Sequence, residues 1–155
     1  MLSARLVRLI EKNADEISRR LIEAVRTHPE LPALARQSDT ELREWSVEIL
    51  ENLGYLLLAR KDEEVKRRYQ IMGRMRFEQS IPLHEAVLRL QLLKDKTIDF
   101  VRQQGFPMTS LQLYAEEELG QRAGRFFDAL VYHVVCGYEQ GMRLAAKIDS
   151  VHAAR

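Results

Sequence analysis

Residues 109–155 read TSLQLYAEEELGQRAGRFFDALVYHVVCGYEQGMRLAAKIDSVHAAR. No proline interrupts the stretch, and Leu111, Ala115, Leu119, Ala123, Phe126, Leu130, Val134 and Tyr138 recur at steps of three and four. At about 3.6 residues per turn, those steps put the apolar side chains on one face of a helix. Thr109 followed three residues later by Gln112 is a capping box, in which side chains satisfy the free backbone N–H groups of the first turn. The far end carries no stop signal. Ala145, Ile148 and Val151 stay in step, with neither a glycine cap nor a proline before Arg155. One long rod is expected, with the upstream chain packed against it.

Working outward, the helix before the rod places Leu83, Val87, Leu90, Leu93, Thr97, Phe100 and Val101 on one side and Lys94, Asp95, Lys96 and Asp99 on the other. Ser80-Ile81-Pro82 starts it, because proline suits a first turn whose N–H has no partner to lose and Glu85 favours the positive end of the helix dipole. Gly105-Phe106-Pro107 ends it and turns the chain into the rod. A third helix aligns Val65, Tyr69, Met72, Arg76 and Gln79, after a break or bend near residues 60–64. Arg76 is a conflict on that line, and the edge of the stripe, with its head in water, is its expected place. The second helix runs from a Ser38–Glu41 capping box through Leu42, Trp45, Ile49, Leu53, Leu56 and Leu57 to about residue 60. Trp45 is read as core, and Gly54, costly inside a helix, as a point of close approach by a neighbour. The first helix spans Ser3 to His28, carries Leu6, Leu9, Ile10, Ile17, Leu21, Ala24 and Val25, and ends before Pro29, with His28 favouring the negative end of the dipole. Five helices with no period-two pattern predict an all-α fold, a helical bundle or globin-like packing, in a single domain, residues 1–155.

Composition narrows the function classes. A formal net charge of +1 over 155 residues gives no bulk attraction for nucleic acid or acidic lipid. The basic run Lys66-Arg67-Arg68 follows Asp62, Glu63 and Glu64, so ion pairs along a solvated helix face are expected. Cys136 is the single cysteine and the chain opens without a signal peptide, which predicts a reducing, cytoplasmic setting. The longest apolar run, Ala129 to Cys136, is far short of the roughly 20 residues of a membrane span.

Little catalytic chemistry is legible. No glycine sits in a phosphate-cradling loop, and no histidine, cysteine or carboxylate group has metal-ligand spacing. Cys136 shares a face with His133 but lacks an orienting group and an oxyanion donor, so a packed thiol is expected and an enzyme is not. His133 stands in the most apolar part of the rod, where a haem protein would place an axial ligand, with Phe126 and Phe127 earlier on the same helix as ring-packing residues. Gly137, Gly141 and Ala145 form a ridge of small residues four apart, preceded by Gly120 and Gly124. Such a ridge invites close approach of another helix, in the same chain or in a second copy.

Tyr69 to Gly73, Arg76, Ser80-Ile81-Pro82-Leu83, Arg125-Phe126-Phe127-Asp128 and Gly137-Tyr138-Glu139 together resemble the N-terminal domain of RsbR-type RsbT co-antagonist proteins. The resemblance implies a globin-like input domain of stress signalling that carries no haem, forms a homodimer and precedes a STAS or histidine kinase output region. The open end of the last helix fits such a connection. The reading is a non-enzymatic, cytoplasmic sensory domain that relays a signal through its C-terminal helix. Gly137, Gly141 and Ala145 are assigned to the dimer interface, and Arg76 and His133 to a ligand pocket. The alternative is a haem- or small-ligand-binding globin-like gas or redox sensor.

Overall fold

The computed structural model describes residues 2–58, 62–104 and 109–155, and for Leu2, Ser3, Leu58 and Gln112 the backbone alone. The Gly105-Phe106-Pro107 turn and the start of the 60–64 bend lie outside the described residues. So does the side chain that would complete the Thr109–Gln112 capping box. The described elements are helical: α1 Leu2–Lys12, α2 Ala14–Thr27, a 3-10 turn Leu34–Arg36, α3 Asp39–Glu51, α4 Leu53–Leu58, α5 Asp62–Glu78, α6 Leu83–Gln103 and α7 Ser110–Ala153. Among the described residues there is no strand.

Two of the expected helices are each broken once, by the same device. Asn13 and Asn52 turn their side-chain amides back onto the chain, Asn13 Nδ2 donating to Leu9 O and Asn52 Nδ2 to Glu48 O, both at 2.8 Å. An amide that fills the i−4 carbonyl competes with the helix ladder, and here it marks a change of direction. The bends let Ile10 and Ile17, and likewise Leu50 and Leu53, turn inward on both sides of a corner. All four are buried.

The Ser38–Glu41 capping box forms as read: Glu41 N donates to Ser38 Oγ at 3.2 Å and Ser38 N to Glu41 Oε2 at 2.8 Å. His28 is the residue that closes α2, its backbone N–H donating to Val25 O at 3.4 Å, and its Nδ1 accepts from Glu30 N at 3.1 Å. Gly54 is approached closely, as expected: its N–H donates to Glu11 Oε1 at 2.9 Å, beside Val7 of α1. Arg68 reaches Glu48 of α3 at 3.2 Å, which ties two helices together instead of one helix to itself.

α5 closes with a paired turn in which Ser80 N donates to Phe77 O at 2.9 Å and Ile81 N to Arg76 O at 3.0 Å. Ser80 takes the left-handed conformation, φ 58°, that glycine usually occupies in this motif. Pro82 precedes α6 as its cap instead of opening its first turn. Glu85 does more than favour the helix dipole. It is buried and accepts from Ala33 N at 3.1 Å and Leu34 N at 2.9 Å, which closes the start of the 3-10 turn.

Matched positions give the helix directions. Gln70 meets Gly137 and Phe77 meets Gly141, so α5 and α7 run parallel, with α6 returning between them in the chain. Ile17, Leu21, Val25, Leu34, Leu50, Leu53, Leu90, Leu93, Leu130 and Val134 form the centre of the core. Each such side chain contributes at most about 1.5–3 kcal/mol of burial.

Tyr69 lies within this core and makes stability depend on alkaline pH. Burial pushes its hydroxyl well above the ordinary tyrosine value, against the field of Arg68. The unfolded chain loses that proton near pH 10, so above it the native state binds more protons than the unfolded state and stability falls as pH rises. Urea midpoints measured from pH 8 to about pH 11 should fall less steeply for Tyr69→Phe than for the wild-type chain. An unchanged slope would remove Tyr69 as a cause.

Candidate functional site

Among the described glycines, the tightest surroundings are where α5 meets α7. A Cβ added to Gly137 would sit 1.9 Å from Gln70 O, and one on Gly73 2.0 Å from Val134 O. The two backbones touch through a reciprocal pair of glycines. Gly141 is covered by the Phe77 ring, 2.9 Å from where its Cβ would be. Phe77 in turn packs edge-on against Tyr138, ring centroids 5.5 Å apart, and Tyr138 Oη donates to Ile81 O at 2.7 Å. Gly137 and Gly141 are therefore taken by the chain's own α5, which corrects the assignment of these two glycines to a dimer interface. Gly137 and Gly141 face α5, and Ala145 lies one turn beyond, half-buried. Gly120 and Gly124 have no neighbour at Cβ distance among the described residues.

Arg76 is also corrected. It does not reach water from the edge of its stripe but is 7% exposed, its guanidinium carbon 4.7 Å from the centre of the Trp45 ring. Arg89 of α6 is 1% exposed and lies 4.4 Å from the same ring. Trp45 is thus core, as read, and also the surface on which two cations stack. Such stacking on an indole is worth about 2 kcal/mol when desolvated. Arg76 Nη1 donates to Gln79 Oε1 and Arg89 Nη2 to Leu42 O, both at 2.7 Å. Burial disfavours both cations; the Glu41 charge partly offsets this at Arg76, and Arg76 itself adds to it at Arg89. The sequence reading missed Arg89. The available signal was its position four residues from Glu85 and from Leu93, with Thr97 one turn further on, a line that the structure buries throughout.

His133 is elsewhere. It lines a cleft of about 660 Å³ with Leu56, Leu57, Asp62, Val65, Arg125 and Phe126, between α4, the start of α5 and α7. Burial and the Lys66 charge hold its pKa below the ordinary histidine value, against Glu63 and Asp62. Among the described residues its Nδ1 is buried without a hydrogen-bond partner, so they do not give the ring the hydrogen-bonded anchor typical of a ligating histidine. His133 senses Lys66, whereas Arg76 lies ten residues further along α5, about 15 Å at 1.5 Å per residue. The two residues assigned to one pocket are not brought together.

Beyond Gly141 the rod leaves the body. From Met142 to Arg155 every residue but Ala145 is exposed, including Leu144 at 55%, Ile148 at 50% and Val151 at 56%. Among the described residues no group of three or more His, Cys, Asp or Glu is placed to hold a metal ion, and no helix is long and apolar enough to cross a membrane. Comparisons with protein-family models, with curated proteins and with solved structures each return no match for this chain.

Proposed function

We propose that the chain is a sensory input domain of signal transduction, globin-like in its packing, that acts as a homodimer and relays its state through α7. The observation that carries the reading is the projecting end of that helix. Leu144, Ile148 and Val151 are spaced four and then three apart and lie bare, the pattern of one strand of a two-stranded coil. Two parallel copies would cover this stripe, and the glycine contacts with α5 would pass any shift in the body to it. A packed interface of this kind has discrete arrangements, which a ligand or partner can favour unequally. The resemblance to RsbR-type domains points the same way, with a STAS or histidine kinase region as the element that reads the coil. A haem sensor on His133 is the weaker reading, because its Nδ1 has no hydrogen-bond partner among the described residues.

Light scattering on the full chain at tens of micromolar tests the proposal. The expected mass is that of a dimer, and Leu144→Glu with Ile148→Glu is expected to yield a folded monomer. A wild-type monomer, or a dimer untouched by the two charges, would remove the basis of the reading.

A further inference from the structure

We propose that Arg76 and Arg89, stacked on Trp45 between α3, α5 and α6, bind a small oxyanion, a carboxylate or a phosphate. The argument begins with charge. A guanidinium keeps its proton in a protein, so two positive charges stand in a place almost closed to water. Among the described residues neither has a carboxylate in contact. The partners are the neutral Gln79 amide and the Leu42 carbonyl, and Glu41, the acid whose charge acts on Arg76, is tied to Ser38 in its capping box. Buried cations left unpaired in this way are rare, because the lost hydration is not offset.

Hydrogen bonding points in the same direction. Arg76 Nε, Arg89 Nε, Arg89 Nη1 and Trp45 Nε1 are all buried without an acceptor among the described residues. All four are donors, and they belong to Trp45 and to the two arginines that lie over its ring. A cluster made of donors alone is satisfied by a group with several lone pairs, and its double positive charge selects a negative one. Stacking on the indole holds each guanidinium plane in place, which lowers the entropy lost on binding. Arg76 keeps a small contact with solvent, which gives the centre an outlet. The inference rests on the sensory reading for its meaning, since the oxyanion would be the signal.

Trp45 is the only tryptophan, so its fluorescence reports on this centre alone. The full chain would be titrated with sodium phosphate and, separately, with sodium malonate, chloride holding the ionic strength constant. A saturable change in emission is expected. A response to phosphate alone indicates a phosphoryl ligand, and one to malonate alone a carboxylate. Arg89→Met should weaken the response more than about tenfold, the least that losing one charged hydrogen bond implies, while its melting temperature in chloride does not fall, because an unpaired buried charge has gone. Should Arg89→Met not fold, Arg76→Met read by calorimetry takes its place. No saturable response to either anion, or equal binding by the variant, would overturn the proposal. A monomeric protein that still binds would overturn the dimeric reading while supporting this one.

Discussion

Gly137→Ala is expected to lose about 3 kcal/mol or more of stability, whereas Gly124→Ala, thirteen residues earlier on the same helix, should gain up to about 1 kcal/mol. Both changes replace glycine by the best helix former, so intrinsic propensity favours both. They differ in what the new methyl group meets. At Gly124 there is nothing within 4 Å, and the propensity term stands alone. At Gly137 the methyl carbon would lie 1.9 Å from Gln70 O and 2.6 Å from Gln70 C, which are backbone atoms and have no rotamer to change. α5 and α7 would have to separate, reopening the contact through Gly73 as well. Urea unfolding of the two variants beside the wild-type chain reads the difference directly. Equal midpoints for both would mean that the helices are not in backbone contact.

Glu85→Ala carries the second large effect, about 3 kcal/mol. The carboxylate is buried in α6 and receives the N–H groups of Ala33 and Leu34, the first donors of the 3-10 turn. Alanine would leave both donors without an acceptor in a place closed to water, with a void beside them. Glu85→Gln keeps one acceptor oxygen and should lose roughly half as much. Since the turn joins α2 to α3, exchange of the Ala33 and Leu34 amide protons should quicken in the alanine variant ahead of global unfolding. Slow exchange at those two amides would refute the closure.

How much was legible divides by the range of the forces involved. The amphipathic stripes and the Ser38–Glu41 box are local patterns, and the helices formed where the stripes are. Arg76 was noticed because a charge on an apolar line is a local conflict, but its resolution was not visible, because Trp45 and Arg89 come from other helices. The bends at Asn13 and Asn52 were missed for a related reason. Asparagine lowers helix propensity only slightly, and what makes these two turn is the pull of Ile10 with Ile17, and of Leu50 with Leu53, toward a shared core.

The glycines show the division most clearly. From the sequence, Gly137 and Gly141 announced that some helix comes near, since glycine is costly in a helix without such a neighbour. Which helix it is depends on a reciprocal gap at Gly73 and a ring at Phe77, more than fifty residues away. By itself the sequence determined that the chain is helical, which faces are apolar, and that one long helix ends it, because those follow from residue spacing along one element. Tertiary structure alone decided that α5 takes the glycine ridge, that the bare stripe begins at Leu144, and that two arginines share one tryptophan. Contacts between elements depend on the shapes of both partners, and the spacing along either one carries no record of the other.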